Sequence, residues 1–352
     1  PTYYDAIRDM ITLTDQGFEL DLSYFEFMLN RPRRYSQKLV ELLGPERHRE
    51  GPIDERHQDI AASLQQVTEE AMLHLAQRAK ELTGETRLCM SGGVVLNCVA
   101  NTRILNESGF DEVYFMPASG DGGTSLGAAL YANYVLENAP RTSYPASDYH
   151  GPSFSDEVIE AELSKAGVNY RRSENIAEDA AELLAEGHIL GWFQGAAELG
   201  PRALGHRSIL ADPRREDMKD TLNARVKFRE GFRPFAPSVL KERCGDFFED
   251  DTPSPYMLHV YKTREDKLDV LPAITHVDDG ARVQTVDKDV SPLYWSLIDS
   301  FGRKTGVPVV LNTSFNIRGE PIVNSVADAL KCFFTTDMDA LAVGPFLLTK
   351  NG

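Results

Sequence analysis

The sequence lacks the features of a membrane-spanning protein, of a disulfide-stabilised fold and of a metal site built from two histidines on one helix. Its apolar runs, such as GVPVVLN, are much shorter than the roughly 18 residues of a membrane helix. The N-terminal PTYYDAIRDM has neither a signal-peptide nor a transit-peptide pattern. The eight histidines include no pair four residues apart, so no helix carries two of them on one face. The cysteines are widely spaced, with no C-x-x-C pair, which predicts reduced thiols in a cytoplasmic protein; they are Cys89, Cys98, Cys244 and Cys332.

Positive charge is also scarce. The 352 residues include 54 Asp and Glu against 37 Lys and Arg, for a net charge of −17. A chain this acidic repels phosphate backbones and anionic lipids, which argues against nucleic acid or a membrane as a partner. Any anionic ligand must therefore be held by a local basic cluster. The apolar fraction of 42% is ordinary for a globular protein, and the length predicts about two domains.

Three common catalytic signatures are missing. The sequence contains no Walker-type G-x-x-x-x-G-K-[ST], no G-x-S-x-G nucleophile elbow and no H-E-x-x-H zinc motif. A site of another kind has to be sought in the glycine-rich and arginine-rich loops.

The hydrophobic pattern predicts two parts of different organisation. Residues 54–83 have apolar residues at helical spacing and end at Gly84, which predicts a long amphipathic helix. Two units of strand, glycine turn and helix follow, the first helix beginning near Val95, and they predict an α/β layer with mainly parallel strands. A segment rich in Pro, Ser and Tyr predicts a linker at 141–155, which separates domains at 1–140 and 156–352. The second domain is predicted to be α+β or α/β.

The two glycine turns form the first candidate site. They are Ser91-Gly92-Gly93 and the run from Gly120 to Ser125, and each follows a strand and opens a helix, where free backbone N–H groups favour phosphate. Tight turns without a ligand are the alternative. Asp121 lies between glycines at a strand end, where it is equally suited to hold a metal or to cap a helix.

A basic run inside glycine-rich and proline-rich loops forms the second candidate site. Guanidinium groups clamp phosphate or carboxylate oxygens, and lysine adds a point charge. Any single arginine is better explained by pairing with a neighbouring carboxylate, but we interpret the run as a whole as an anion pocket. Its members are Arg202, Arg207, Arg214, Lys227, Arg229 and Arg233.

The third candidate site lies where the buried-type strand VPVVL ends in polar residues. Asn312, Thr313, Ser314 and Asn316 form a hydrogen-bonding shelf suited to a small planar group, or alternatively ordinary turn chemistry. Arg282, in DDGARVQTV, is unremarkable on its own.

Six segments in order resemble the O-carbamoyltransferase family, which includes nodulation-factor, tobramycin and hydroxymethylcephem carbamoyltransferases. They are SGGVVLNCVANTRI, GDGGTSLGAAL, GPRALGHRSILADPR, KFREGFRPFAPS, ARVQTV and LNTSFNIRGEPIV. The resemblance implies an α/β chain in which part of an actin-like ATPase domain, related to threonylcarbamoyl transferases, precedes a YrdC-like α+β domain. It also implies that carbamoyl phosphate and ATP, with magnesium, form carbamoyl adenylate and release pyrophosphate. The carbamoyl group then passes to a hydroxyl of a small-molecule or sugar acceptor.

The resemblance also implies roles for the candidate residues. Arg202, Lys227, Arg233 and Arg282 match the family's residues for carbamoyl phosphate, and the first three match catalytic positions. Asn312, Thr313, Ser314 and Asn316 match its carbamoyl and adenylate shelf. Gly92, Gly93 and Asn97 match its nucleotide-facing loop, and Asp121 matches a ligand of its divalent metal, iron in at least one member.

The family's H-x-x-x-H metal motif and a further catalytic histidine are not found in these 352 residues. We therefore expect the chain to open partway through the actin-like domain, as a fragment or one half of a split enzyme, or to form a homodimer. The alternatives are a threonylcarbamoyl-adenylate-type synthase and a nucleotide-binding subunit that completes another chain's site. The charge of −17 argues against direct contact with tRNA.

Overall fold

The computed structural model describes residues 1–27, 34–48, 51–142, 147–229 and 231–350. Contacts between residues divide the chain into two units. The first comprises Pro1–Met90 and Val99–Phe115, and the second comprises Ser91–Cys98 and Met116–Gly352. This division falls before the predicted linker at 141–155, of which residues 143–146 lie outside the described ranges, so that linker stays a prediction.

The first unit is built around one long helix. Asp54 caps it by accepting a hydrogen bond from the His57 backbone N–H at 3.2 Å, and Gly84 ends it in the left-handed conformation. The predicted helix at 54–83 is thereby confirmed. The elements of the unit are α1 (Tyr4–Arg8), β1 (Ile11–Thr14), β2 (Gly17–Leu20), α2 (Gln37–Leu43), α3 (Glu55–Thr83), β3 (Arg87–Met90), α4 (Cys98–Glu107) and β4 (Glu112–Phe115).

Strands β3 and β4 pair in parallel, with Arg87 opposite Glu112, as the repeated strand–turn–helix pattern predicts. The helix predicted to begin near Val95 begins at Cys98 instead. A 3-10 turn at Gly93–Leu96 occupies the intervening residues, because Gly92 has a positive φ that turns the chain before a helix can start.

The second unit contains an eight-stranded mixed sheet among its described residues, in the order β11-β8-β12-β7-β6-β13-β14-β5. The β11–β8 and β6–β13 pairs are parallel, and the others in this order are antiparallel. The elements of the unit are α5 (Thr124–Tyr131), α6 (Asp156–Ala166), β5 (Arg171–Arg172), α7 (Ile176–Ala185), β6 (Leu190–Phe193), β7 (Arg207–Ala211), α8 (Met218–Leu222), β8 (Ala236–Leu240), β9 (Tyr261–Lys262), β10 (Gly280–Ala281), β11 (Gln284–Val286), α9 (Pro292–Thr305), β12 (Val309–Ser314), α10 (Val326–Thr335), β13 (Ala340–Val343) and β14 (Phe346–Thr349).

Helices cover both faces of this sheet. Alternate residues of a strand point to opposite faces, so Ile209 joins one buried cluster and Leu210 the other. Helices α6 and α10 contribute to the first cluster, and α7 and α9 to the second. This arrangement explains why β6 and β7 are buried along their whole length. The predicted mixture of helix and sheet is therefore confirmed.

Across the described ranges, no helix combines the length and the apolar character that crossing a bilayer requires.

Candidate active site

Glu198 holds the loop that carries Arg202. Its Oε1 accepts hydrogen bonds from the backbone N–H groups of Leu204, His206 and Arg207 at 2.7, 2.8 and 3.1 Å. One carboxylate oxygen thus satisfies three backbone donors that no regular element pairs. The segment from 202 to 207 is fixed by this acidic side chain, although the sequence here is mainly basic.

The carbonyl groups of the same loop are held from the sheet. Asn312 Nδ2 donates to Ala203 O at 3.2 Å, Gln284 Nε2 to Leu204 O at 2.7 Å, and Trp192 Nε1 to Gly205 O at 2.8 Å. Gly205 has a φ of +100°, and a Cβ there would lie 2.1 Å from the Tyr294 ring. Glycine is therefore required at this position.

We expect Glu198→Leu to lower the free energy of unfolding by about 2–4 kcal/mol, because three buried N–H groups lose a charged acceptor. Glu198→Gln keeps a carbonyl oxygen as acceptor and should cost clearly less. Urea unfolding of both variants measures the difference. Equal stability of the two variants would contradict this role for Glu198.

Arg202 and Arg282 lie close together, and neither pairs with a carboxylate of the described residues. Both are half-buried, and the Nε of each is buried without a hydrogen-bond partner. Arg202 donates to Leu96 O at 3.4 Å, and Arg282 makes no hydrogen bond or ion pair within the described part of the chain. Burial and the neighbouring Arg282 charge lower the pKa of Arg202 to about 10, and burial lowers the pKa of Arg282. Two adjacent guanidinium groups without counter-charge have the chemistry that an anion-binding site requires.

Lys227 is a third basic side chain without a carboxylate partner among the described residues. It is only 4% exposed, at the end of a π-helical turn (Asn223–Lys227) that follows α8. Its Nζ donates to Ser314 O, to Asn316 Oδ1 at 2.9 Å and to Asn316 O at 3.1 Å. Burial, reinforced by the charge of Arg229, lowers the pKa of Lys227 to about 7. Among described residues no carboxylate pairs with it, so its charge is balanced only by the neutral oxygens of Ser314 and Asn316.

A cavity of about 420 Å³ lies beside Lys227. Ser314 and Asn316, which accept from Lys227, line it together with Glu198 and Pro201, the residue before Arg202. This volume lies within the range of about 300–1,000 Å³ that is usual for small-molecule sites. The lining of the cavity belongs to the second unit, as do Arg202, Arg282 and Lys227.

The members of the predicted shelf divide between the site and the core. Ser314 and Asn316 line the cavity, with Ser314 Oγ donating to Asn316 Oδ1 at 2.8 Å. Asn312 is 1% exposed, and its Nδ2 is used within the protein. Thr313 is half-buried and, by strand alternation, lies on the opposite face of β12 from Asn312 and Ser314.

Two arginines of the predicted basic run are used by the protein itself, which corrects our interpretation of the whole run as an anion pocket. Arg207 is fully buried, and its guanidinium donates to the carbonyl groups of Gln194, Gly195, Pro152 and His206. Arg214 forms a bidentate pair with the buried Asp212, with its Nε at 2.9 Å and NH2 at 2.6 Å.

Two further basic side chains complete the predicted run, and one of them, Arg229, is close enough to Lys227 to affect its pKa. Arg229 Nε donates to Asn223 Oδ1 at 3.1 Å and its guanidinium stacks on Phe235. Arg233 is exposed in the loop before β8.

The first glycine turn is linked to the arginine pair. Gly92 and Gly93 are exposed, and Asn97 is half-buried. Gly92 N–H donates to Ser119 O at 2.9 Å, which joins the two predicted glycine turns, and Leu96 O accepts from Arg202. The structure thus brings the predicted nucleotide-facing loop next to a predicted phosphate ligand.

Asp121 is exposed in a 3-10 turn at Asp121–Gly123. The N-cap of α5 is Gly123, so the interpretation of Asp121 as a helix cap is wrong. Within the described ranges, no three His, Cys, Asp or Glu side chains come together as metal ligands. The residues present therefore do not fit a metal site on their own, because one carboxylate is too few ligands for tight binding.

Sequence reasoning missed Glu198 and Gln284. Glu198 is an acidic residue inside the run GAAELGPR, and its position among basic loops was an available signal. Gln284 lies two residues after Arg282, the spacing that places two residues on the same face of a strand. Its Oε1 accepts from Ser238 and Asn312, so it supports the loop carrying Arg202.

Two family profiles match the chain. One, described as "Carbamoyltransferase N-terminus", matches residues 4–130, and the other, "Carbamoyltransferase C-terminus", matches residues 181–350. A crystal structure of full-length HypF in a phosphate- and nucleotide-bound form matches at a TM-score of 0.35 and 14% identity, covering 68% of this chain and 36% of that chain. That likeness is too weak to carry an argument.

Three relatives illustrate the similarity. The uncharacterized protein sll1178 of Synechocystis sp. is 43% identical, over 100% of this chain and 62% of its own length. Nodulation protein NolO of Bradyrhizobium diazoefficiens is 47% identical, over 85% of this chain and 56% of its own length. Nodulation protein NolNO of Sinorhizobium fredii is 46% identical, over 85% of this chain and 45% of its own length. The chain thus spans about half the length of the curated relatives it matches.

The two profiles match both parts of the chain. The matched ranges include the glycine turns, the arginine pair, Lys227 and the polar end of β12. On this evidence the chain belongs to the carbamoyltransferase family.

Proposed function

We propose that this chain forms carbamoyl adenylate from carbamoyl phosphate and ATP, as part of an ATP-dependent O-carbamoyltransferase. The observation that carries the proposal is the set of three cations, Arg202, Arg282 and Lys227, which have no carboxylate partner among the described residues of a chain with a net charge of −17. Unpaired buried cations are costly, and a bound polyanion compensates that cost.

The reaction balances in three steps. Water cleaves the phosphate from carbamoyl phosphate, leaving carbamate and inorganic phosphate. A carbamate oxygen then attacks the α-phosphorus of ATP and displaces pyrophosphate, giving carbamoyl adenylate. Finally, the hydroxyl oxygen of a small-molecule or sugar acceptor attacks the carbamoyl carbon, displaces AMP and loses its proton.

Each group of the site has a part in this proposal. Arg202, Arg282, Arg233 and Lys227 neutralise phosphate oxygens, which stabilises the charge that develops as pyrophosphate leaves. Ser314 and Asn316 orient the planar carbamoyl unit from the cavity wall. Asn312, which is buried, acts by holding Ala203 and thereby the loop of Arg202.

We extend the proposal to the domains. The part before the linker corresponds to an actin-like domain, with Gly92, Gly93 and Asn97 facing a nucleotide. The part from 156 onward corresponds to a YrdC-like domain. The metal that the resemblance implies at Asp121 has no grouped ligands among the described residues, so no step here uses it.

Pyrophosphate release by the purified chain tests the proposal. With ATP and no acceptor, we expect release that depends on carbamoyl phosphate. Acetyl phosphate, which lacks the amino group, is the matched control and should not support release. Absence of release from folded protein, or equal release without carbamoyl phosphate, would overturn the proposal.

A further inference from the structure

A second, smaller cavity of about 190 Å³ lies elsewhere in the second unit. None of the predicted site residues lines it. Its walls are largely apolar, with Leu204, Pro253, Val286 and Val290 among the contributors. The volume is below the range of about 300–1,000 Å³ of drug-sized sites and suits a compact molecule of about ten non-hydrogen atoms.

Polar side chains on the wall of this cavity are mostly occupied within the protein. Tyr149 OH donates to Leu204 O at 2.8 Å, and Gln284 Nε2 donates to the same oxygen at 2.7 Å. Ser291 Oγ lies 3.1 Å from His206 Nε2, and Lys241 pairs with Asp287 at 2.7 Å. These groups leave little capacity for a polar ligand.

Asp148 is the exception. It lines the cavity and is only 4% exposed, and its carboxyl group has no hydrogen bond or ion pair within the described ranges. Its main chain is fixed, because Asp148 O accepts from Leu199 N–H at 2.8 Å. Burial, with the nearby Glu198 charge, raises the pKa of Asp148 to about 8. A buried carboxyl group without a partner is costly, and a ligand that donates to it would compensate that cost.

We propose that this cavity binds a small organic cation, a primary ammonium on a compact apolar body, with the ammonium donating to Asp148. The apolar walls would contact the apolar body of the ligand, and the carboxyl group of Asp148 would pair with its ammonium group. Lys241 and Asp287 neutralise each other, so Asp148 is the group that matches a ligand charge, and a bound ammonium group stabilises the ionised form of this carboxyl group. A ligand anion is thereby disfavoured, in contrast to the site of Arg202 and Lys227.

The two sites are connected by one side chain. Gln284 lines the small cavity and also accepts from Asn312, which holds the Arg202 loop. The inference nevertheless stands apart from the proposed function, because it concerns a different ligand class and a binding event that needs neither ATP nor carbamoyl phosphate.

Calorimetric titration of the folded chain with benzylamine tests the inference, with benzyl alcohol as its neutral counterpart. We expect saturable binding of one benzylamine per chain, at least about tenfold tighter than benzyl alcohol. Asp148→Asn should weaken benzylamine binding by about tenfold or more, since it removes the carboxylate. Asp289→Asn is the matched control, because it removes a nearby exposed carboxylate that does not line the cavity, and it should leave the affinity unchanged.

Equal affinity for the alcohol, an unaffected Asp148→Asn variant, or no saturable binding would overturn the inference. Val290→Trp is a second test of the cavity, to be used if Asp148→Asn fails to fold. Val290 lines the cavity and is 40% exposed, so an indole there can fill the mouth without entering the core. If folded Val290→Trp retained benzylamine affinity, the cavity would not be the binding site.

Discussion

Replacing Lys227 by methionine is expected to lower the carbamoyl-phosphate-dependent rate of pyrophosphate release about 100-fold or more. Methionine keeps the unbranched apolar stem and removes the ammonium group that donates to Ser314 and Asn316. Steady-state kinetics of the variant measures the effect. Lys165→Met is the matched control, because Lys165 is exposed on α6, outside the site, and this variant should retain the full rate.

The same lysine should make the reaction sensitive to pH. Burial lowers the pKa of Lys227 to about 7, so its charged form predominates below that pH and its neutral form above it. Because the charged form binds an anion, kcat/KM for carbamoyl phosphate should fall as the pH rises through about 7, a limb that Lys227→Met should lose. A wild-type profile that stays level from about pH 6 to 9 would contradict the assignment.

Arg282→Met should weaken the binding of carbamoyl phosphate without lowering the stability of the fold. The guanidinium makes no hydrogen bond or ion pair within the described part of the chain, so its removal breaks no native contact of that kind and relieves a buried charge. We expect the free energy of unfolding to stay the same or rise. Carbamoyl phosphate binding should weaken about tenfold or more, since one charge-assisted contact is lost. Urea unfolding and calorimetric titration measure the two effects.

Arg214→Met is expected to have the opposite effects, lowering stability without changing the affinity for carbamoyl phosphate. Arg214 pairs with Asp212, whose carboxylate is buried, so the variant should lose about 2–3 kcal/mol of stability and keep its affinity for carbamoyl phosphate. If Arg282→Met behaved like Arg214→Met, with lower stability and unchanged affinity, Arg282 would be a structural residue.

Local signals in the sequence predicted the long helix well. Apolar spacing and the terminal glycine are short-range properties, and they located α3 to within a residue. The start of α4 was placed too early because Gly92 and the 3-10 turn after it depend on backbone conformation, which residue types alone do not specify.

The partners of charged side chains were harder to predict. Arg202, Arg207 and Arg214 lie in one basic segment, yet their surroundings differ. Among the described residues the first has no carboxylate partner, the second is buried among carbonyl groups and the third pairs with Asp212. Which arginine faces a ligand depends on contacts with distant residues, such as Leu96 and Pro152. Arg282 showed its significance only when the sheet brought it beside Arg202.

The strand order of the large sheet also affects how the chain can fold during synthesis. Strand β13, at Ala340–Val343, lies between β6, at Leu190–Phe193, and β14. The middle of the sheet therefore cannot form until β13 is synthesised, about 150 residues after its partner β6. The register of Ala340 with Leu190 shows this separation. Until then β6 has an unpaired edge with buried-type residues, which exposes the nascent chain to aggregation. The topology therefore predicts that the sheet of the second unit is completed only after β13 has been synthesised.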